Sequence, residues 1–144
     1  MIPVKRLREG AKLPTFGSQQ AAGADLYACL EESVTIQPGQ TAFIPTGLAM
    51  ALPEGYVGLI CARSGMACKM GLAPANKVGV IDSDYRGEFI VALLNHGSEP
   101  RTVTHGDRIA QLMVVPVLHP VYEEAMELSE TIRGAGGFGS TGTR

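Results

Sequence analysis

The sequence predicts an all-β fold, a jelly roll that forms oligomers, and three observations support this prediction. Apolar residues show almost no helical period along the chain. Eighteen glycines and nine prolines are spread through the 144 residues, so no long helix fits between them. The run Phe89–Leu94 is apolar at both alternating sets of positions, which indicates a strand covered on both faces, by a second sheet or by another subunit.

The predicted elements follow from apolar runs bounded by turn signals such as Gln37-Pro38-Gly39. The strands are, in order, Gly23–Ala28, Thr41–Leu52, Tyr56–Ala62, Phe89–Asn95 and Arg108–Leu118. Residues 123–128 favour one short helical turn. Because no repeat, linker or second domain is visible, we expect one β domain over residues 1–128 and a flexible arm over residues 129–144.

Composition excludes several classes of partner. A net charge of −2 and a pI near 5.9 give no electrostatic footprint for a nucleic-acid polymer. No signal-peptide pattern and no apolar run of membrane-spanning length is present, so we expect a cytoplasmic protein that binds no membrane. The three cysteines, Cys29, Cys61 and Cys68, have no metal-type spacing and are predicted to be reduced thiols.

The C-terminal segment, from Arg133 to Arg144, combines a glycine-rich backbone with a cation, the ring of Phe138 and the hydroxyls of Ser140 and Thr141. A cation and hydroxyls suit phosphate oxygens, and a ring between glycines can lie on a planar base. The segment is therefore either a nucleotide clasp or a plain disordered terminus.

A second polar cluster, Gly79–Glu88, lies between two predicted strands and is predicted to be a hairpin. In a β-type backbone Asp82 and Asp84 would share a face, where they could activate water or steady a metal-bound phosphate. Asp and Ser are also favoured in ordinary turns, so an acidic turn without chemistry remains the alternative.

Three further polar positions stand in or beside apolar strands. Arg63-Ser64-Gly65 offers a guanidinium, a hydroxyl and an accessible amide, a plausible phosphate seat. Asp25 is a charge inside an apolar strand and needs a partner such as Arg63. Gln111 either donates to a phosphate or satisfies a backbone carbonyl. The histidines lie outside these clusters and are predicted to be surface residues: His96, His105 and His119.

Taken together and in order, five segments of the chain resemble the five motifs of the trimeric deoxyuridine triphosphatases. The segments span nearly the whole chain: Ala22–Ala28, Arg63–Gly65, Gly79–Glu88, Gly106–Leu112 and Arg133–Gly142. The one departure is Cys61-Ala62, where a proline often precedes the arginine of the second motif. It alters no expected functional position.

The resemblance implies a homotrimer of jelly rolls of the β-clip type, with active sites shared between subunits and the tail of one subunit closing over a neighbour's site. It implies hydrolysis of dUTP to dUMP and pyrophosphate with Mg²⁺, which keeps uracil out of DNA and supplies dUMP for thymidylate synthesis. Asp82 would be the general base for a water that attacks the α-phosphorus. Asp25 would act on the metal indirectly, through a water.

The resemblance also implies the substrate contacts. The residues expected at the phosphates are Arg63, Ser64, Gly65, Gln111, Arg133, Ser140 and Thr141. Those expected at the base and sugar are Asn76, Gly79, Val80, Ile81, Tyr85, Ile90, Phe138 and Gly139. Phe138 would stack on uracil, and Tyr85 would pack against the deoxyribose where a 2′-hydroxyl would have to lie.

Two alternatives stay open at this point. A dCTP deaminase-like enzyme is similar in fold and also trimeric, but the chain is short for that branch. A non-catalytic module that senses dUTP would need extra segments for partner contact, and the sequence offers none.

Overall fold

A computed structural model describes residues 1–137, and its regular secondary structure is nearly all β. The strands are β1 Val4–Arg6, β2 Thr15–Phe16, β3 Ala24–Tyr27, β4 Val34–Ile36, β5 Thr41–Pro45, β6 Leu48–Met50, β7 Tyr56–Cys61, β8 Leu72–Pro74, β9 Gly79–Ile81, β10 Ile90–Asn95, β11 Arg101–Val103 and β12 Arg108–Pro116. One helix, α1, spans Ser64–Met70. The predicted all-β class is confirmed.

The largest sheet has five antiparallel strands in the order β2-β3-β12-β7-β9. Its strands carry five of the predicted site residues, namely Asp25, Gly79, Val80, Ile81 and Gln111. Its long strand β12 lies between β3 and β7, with Gln111 opposite Asp25 on one side and opposite Cys61 on the other. A register shift between Arg108 and Ala110 interrupts the pairing of β12 with β3. The register therefore brings the first, third and fourth of the five motif segments onto one sheet, and the second segment follows directly after β7.

A second sheet, in the order β5-β10-β8, and two strand pairs, β1-β6 and β4-β11, complete the fold. The core between them is apolar, and its fully buried side chains include Leu26, Ile36, Ile44, Leu48, Leu72, Phe89, Val91, Leu93 and Ile109. Burying each such side chain contributes about 1.5–3 kcal/mol relative to leaving it exposed. This shared core fixes the sheets against each other.

Strand β10 is covered on one face only within a single chain. Val91, Leu93 and Asn95 are buried, whereas Ile90 on the opposite face is exposed and Leu94 is half-buried. Its neighbour on β5, Phe43, is exposed as well. Within one chain, the described residues therefore cover one face of β10, whereas cover on both faces was predicted.

Several predicted elements are corrected by the structure. The run Thr41–Leu52 is two strands, because the chain bends at Thr46 and Gly47, where Gly47 has a φ of 69° that favours glycine. Gly79–Glu88 is not a hairpin: β9 pairs with β7, β10 pairs with β5 and β8, and the loop between them crosses from one sheet to the other. The predicted helical turn at residues 123–128 is wrong, because the described chain beyond Pro116 contains no helix or strand.

The helix α1 and the shortest strands were not predicted. The missed strands have two or three residues each, namely β1, β2, β4, β8, β9 and β11. Helix α1 has seven residues and ends at Gly71, whose φ of 71° is left-handed and whose N–H donates to the Met66 carbonyl. The three cysteines are free, as predicted. Within residues 1–137 no helix is long and apolar enough to cross a membrane.

Candidate active site

Four of the seven predicted phosphate residues converge at the end of β7, in a cavity of about 230 Å³, namely Arg63, Ser64, Gly65 and Gln111. Its lining residues are Gly17, Ala21, Gly23, Asp25, Arg63, Ser64, Gly65, Arg108 and Gln111. Arg63 stands between β7 and α1 in an extended conformation, with a φ of −87° and a ψ of 127°. The chain turns from strand to helix at this residue, so Arg63, Ser64 and Gly65 all face the same hollow.

Asp25 anchors this cavity through two guanidinium groups. Its Oδ1 accepts a hydrogen bond of 2.7 Å from Arg63 Nε, and its Oδ2 accepts one of 3.3 Å from Arg108 Nη1. The Asp25 side chain is only 13% exposed, compared with 25% for Arg63 and 54% for Arg108. The predicted Asp25–Arg63 pair is confirmed, and one carboxylate against two cations leaves a net positive charge suited to an anion.

Sequence reasoning missed Arg108 as a site residue. It lies at the start of β12 inside a segment already singled out, Gly106–Leu112. Its role depends on β12 lying next to β3, the strand of Asp25. The neighbours of a strand are not visible in the sequence, so this role could not be predicted. Arg108 lies next to the register shift that interrupts the pairing of β12 with β3.

Gln111 makes the structural contact that was one of its two predicted alternatives. Its Nε2 donates to the Ala62 carbonyl at 2.8 Å, which ties β12 to the end of β7. A Cβ at Gly23 would lie 2.6 Å from Gln111 Oε1, so a larger residue there would push the Gln111 amide out of its present position. The Nε2 group has a second hydrogen, and Gln111 also lines the cavity, so the contact to Ala62 does not exclude donation to a phosphate.

The predicted base-binding residues line a second, more apolar cavity of about 350 Å³. It is formed by Phe43, Ile60, Pro74, Asn76, Gly79, Val80, Ile81, Ile90, Val91 and Ala92. Gly79 is buried, and a Cβ there would lie 3.2 Å from the Ile60 Cβ and 3.3 Å from Asn76 Nδ2. The structure thus brings together five of the predicted base contacts. The cavity also contains Phe43, which was not predicted to line it. The only sequence signal for Phe43 is that it is an aromatic residue among aliphatic ones.

The acidic loop after β9 places Asp82 and Asp84 on one cavity of about 660 Å³. Both carboxylates are exposed, so water can reach them. Arg86 and His119 line the same cavity. His119 is exposed, as predicted, but it lies beside the Asp82 cluster and not outside it. Tyr85 packs on Phe89 at 6.2 Å between ring centroids, and its hydroxyl donates to the Glu88 carbonyl at 3.0 Å.

One chain does not bring Asp82 and the phosphate residues together. Ile81, beside Asp82, pairs with Gly58 near the start of β7, whereas Arg63 follows its other end. At about 3.3 Å per residue, the five steps from Gly58 to Arg63 separate the two groups by roughly 17 Å. Their two cavities share no lining residue.

The predicted tail residues lie apart from both groups or outside the described chain. Arg133 is exposed, and its Nε donates to the Gly136 carbonyl at 2.8 Å, within a local turn. The predicted contacts at Phe138, Gly139, Ser140 and Thr141 fall outside the described residues. Among residues 1–137 no group of three His, Cys, Asp or Glu side chains is arranged to hold a metal ion.

Comparison with known proteins decides the family. The family model described as dUTPase matches residues 9–142. The chain belongs to the dUTPase family. It is 56% identical over 98% of its length to the deoxyuridine 5′-triphosphate nucleotidohydrolase of Desulfitobacterium hafniense, covering 94% of that protein. It is 50% identical over 98% of its length to the enzyme of the same name from Syntrophotalea carbinolica, covering 96% of it.

Solved dUTPase structures agree with this assignment. A mutant dUTPase of Staphylococcus bacteriophage 80alpha with dUpNHpp is 30% identical, has a TM-score of 0.87 and covers 99% of this chain and 98% of its own. A mutant dUTPase from phage phi11 of S. aureus is 27% identical, with a TM-score of 0.82 over 90% of this chain and 99% of its own. The predicted activity, hydrolysis of dUTP to dUMP and pyrophosphate, is confirmed, and the deaminase and sensing alternatives are not favoured.

Removing the charge of Asp25 should weaken both the fold and substrate binding. In Asp25→Asn two guanidinium groups lose their counter-charge, and we expect the free energy of unfolding to fall by about 1–3 kcal/mol. KM for dUTP should rise because Arg63 is no longer held in place. Thermal unfolding and steady-state kinetics measure the two effects. Arg108→Gln is the control, because the Arg108 side chain is more exposed and its loss should cost less stability. Equal stability of Asp25→Asn and the parent would refute the role of Asp25 as an anchor for the two arginines.

Proposed function

We propose that this dUTPase forms homotrimers in which each active site takes its base pocket and Asp82 from one copy and its phosphate seat from another. The observation behind this is the separation of roughly 17 Å along β7 between Asp82 and Arg63, at 3.3 Å per residue. Asp82 has to reach a water at the α-phosphorus while Arg63 holds the phosphates, and this separation is too large for both residues of one chain to serve the same triphosphate. A symmetric assembly of copies removes that difficulty.

Uncovered apolar surface supports association of copies. The face of β10 and β5 that carries Ile90 and Phe43 is exposed in the isolated chain. Several large apolar side chains beyond β12 are exposed too: Leu118, Val121, Tyr122, Met126, Leu128 and Ile132. Surfaces of this kind are typical of protein interfaces, where their burial contributes to the free energy of association.

In the proposed site, the phosphates meet the net positive cavity around Asp25. Arg63 uses Nε for Asp25 and Nη1 for the Arg108 carbonyl at 3.4 Å, which leaves Nη2 directed to substrate. Ser64 and Gly65 begin α1, so their N–H groups have no acceptor within the helix. Together with the second hydrogen of Gln111 Nε2, these groups would donate to phosphate oxygens.

The base and sugar would be checked at β9 and the loop that follows it. The backbone of Val80 and Ile81 and the amide of Asn76 supply hydrogen-bond partners for a uracil edge, in a cavity otherwise walled by apolar side chains. Tyr85, held by the Glu88 carbonyl and by Phe89, would pack on the deoxyribose. A ribose would then meet steric conflict and an unpaired hydroxyl.

Asp82 would hold the attacking water and accept its proton as the oxygen bonds to the α-phosphorus. The bond from the α-phosphorus to the bridging oxygen then breaks, and the pyrophosphate leaves with the electron pair. The dUTPase of phage phi11 has a structural Mg(II) ion. Here the described residues offer no three-ligand cluster, and both oxygens of Asp25 accept hydrogen bonds from arginines. This donor set fits a Mg²⁺ carried by the triphosphate, which would neutralise phosphate charge, with Asp25 reaching it through water.

Mixing two inactive variants tests the shared site. Asp82→Asn lacks the base, and Arg63→Gln lacks the phosphate contact while keeping Arg108 beside Asp25. In randomly mixed oligomers each site draws an intact Asp82 half of the time and an intact phosphate seat half of the time. We therefore expect co-expressed variants to regain about a quarter of parental kcat per site.

The controls are each variant alone and a mixture of separately assembled oligomers, all of which should stay inactive. Sites built within one chain predict no recovery in any mixture, and that outcome would refute the shared arrangement. Size-exclusion chromatography with light scattering gives the number of copies, and a value other than three would refute the trimer.

A further inference from the structure

The loop 82–88 carries both Asp82 and Tyr85, yet it has no ladder hydrogen bonds of its own. Its hydrogen bonds are mostly internal: the Tyr85 N–H donates to the Asp82 carbonyl at 3.2 Å, and Arg86 Nη1 donates to the Ser83 carbonyl at 2.7 Å. These bonds shape the loop but do not fix its place relative to the sheets. A contact outside the loop therefore has to fix the position of the loop relative to the sheets.

Glu88 is the residue of this loop whose side chain binds elsewhere in the described chain. Its Oε1 accepts from the Gly47 N–H at 2.8 Å and from Arg8 Nε at 3.2 Å, and its Oε2 accepts from Arg8 Nη2 at 3.2 Å. The Glu88 side chain is 15% exposed. The hydrogen bond and then the charge of Glu88 raise the pKa of the Arg8 guanidinium above its ordinary value. Three charge-assisted bonds on one carboxylate make a directional clamp.

The partner of that clamp is rigid. Gly47 lies at the bend between β5 and β6 against the core, where a Cβ would lie 2.8 Å from the Ala11 Cβ and 2.9 Å from the Cys29 Sγ. Beside it, Thr46 is fully buried and its hydroxyl donates to the Phe89 carbonyl at 2.6 Å. The end of the loop is therefore attached to a part of the chain that cannot easily move.

The clamp reaches Tyr85 through one more bond. The Tyr85 hydroxyl donates to the backbone carbonyl of Glu88, the same residue whose carboxylate binds Gly47. Gly87 packs against the Tyr85 hydroxyl, and a side chain at Gly87 would clash with it. A shift of Glu88 therefore moves the acceptor that orients the tyrosine ring.

We propose that Glu88 is a positioning residue that fixes Tyr85 and thereby sets how strictly the enzyme selects deoxyribose over ribose. The inference rests on the proposed role of Tyr85 at the sugar. Glu88 itself touches no substrate in this arrangement, and its effect is transmitted through the loop. Loss of the clamp should therefore relax selectivity more than it weakens the fold.

The test compares kcat/KM for dUTP and for UTP in four variants. In Glu88→Ala we expect the preference for dUTP to fall by about tenfold or more, as expected when a site loses a well-placed discriminating contact. In Glu88→Gln the amide oxygen can still accept from Gly47 while its NH₂ group faces the Arg8 donors, so a smaller fall is expected. Arg8→Met keeps the Gly47 bond and should resemble Glu88→Gln. Glu32→Ala, an exposed carboxylate without a hydrogen-bond partner in the described chain, should leave the preference unchanged.

Tyr85→Ala separates this inference from the proposed function. If Tyr85→Ala relaxes the preference and folded Glu88 and Arg8 variants do not, the positioning role is refuted while the sugar contact stands. If Tyr85→Ala leaves the preference unchanged, the role of Tyr85 and the inference built on it are both refuted. Thermal unfolding identifies any variant that fails to fold, and Glu88→Gln and Arg8→Met then carry the comparison.

Discussion

In the Asp82→Asn variant we expect kcat for dUTP to fall by about 10²–10⁴-fold, the usual contribution of a positioned general base. Asparagine has nearly the same shape and can still hold a water, but its amide cannot accept the proton at the moment of attack. KM and the affinity for dUpNHpp should change little, because Asp82 is proposed to act in the transition state. Steady-state kinetics and calorimetric titration with that analogue measure the two quantities.

Asp84→Asn is the matched control for this prediction. Asp84 lies two residues away on the same loop, is equally exposed and lines the same cavity. The two substitutions therefore remove the same charge from the same surroundings. If both variants lose equal activity, the effect is electrostatic and general to the loop; unchanged turnover in Asp82→Asn would remove this carboxylate from the mechanism.

The opposite charge of the two halves of the site explains why their roles differ. The cavity around Asp25 holds two guanidinium groups against one carboxylate, whereas the loop cavity holds the carboxylates of Glu54, Asp82 and Asp84 against the one guanidinium of Arg86. The first favours phosphate oxygens. The second disfavours them and keeps a carboxylate free to accept a proton. In the proposed site, hydrolysis needs both kinds of surroundings around one bound nucleotide, so assembly of copies would become part of catalysis.

Sequence patterns predicted the long strands well because these have enough residues to show an apolar pattern. They missed strands of two or three residues, such as Thr15–Phe16, because these are too short for a pattern and exist through pairing with distant neighbours. The helical turn at 123–128 failed for a related reason. Its residues favour a helix, but a single turn without packing is unstable in water.

Single contacts of the candidate site could be predicted from the sequence, but its arrangement could not. The Asp25–Arg63 pair could be inferred, since a charge in an apolar strand needs a partner. The place of Arg108 could not, because it depends on β12 lying next to β3. The separation of Asp82 from Arg63 was equally hidden, since it follows from the pairing of Ile81 with Gly58 and from the direction of β7.

Deleting residues 133–144 should abolish most activity while leaving the folded assembly intact. The described residues at the start of this segment, from Arg133 to Gly137, bury no apolar side chain in the core. Their loss should therefore not change the midpoint of thermal unfolding or the number of copies. We expect kcat/KM for dUTP to fall by about 10²-fold or more, because the closure that the family resemblance implies would exclude bulk water and complete the phosphate contacts. Kinetics, thermal unfolding and light scattering on one preparation test all three statements.

The length and chemistry of the segment explain why the effect should be catalytic. Ten extended residues span roughly 33 Å, enough to reach a site on another copy. Glycine makes ordering costly, so the substrate contacts proposed for Arg133, Phe138, Ser140 and Thr141 would have to outweigh that cost, and a substrate without a triphosphate would not close the site. Deletion of Thr143 and Arg144 alone is the control and should leave activity unchanged. If the long deletion dissociates the oligomer, the segment is an interface element; if it keeps full activity, these residues have no role in the site.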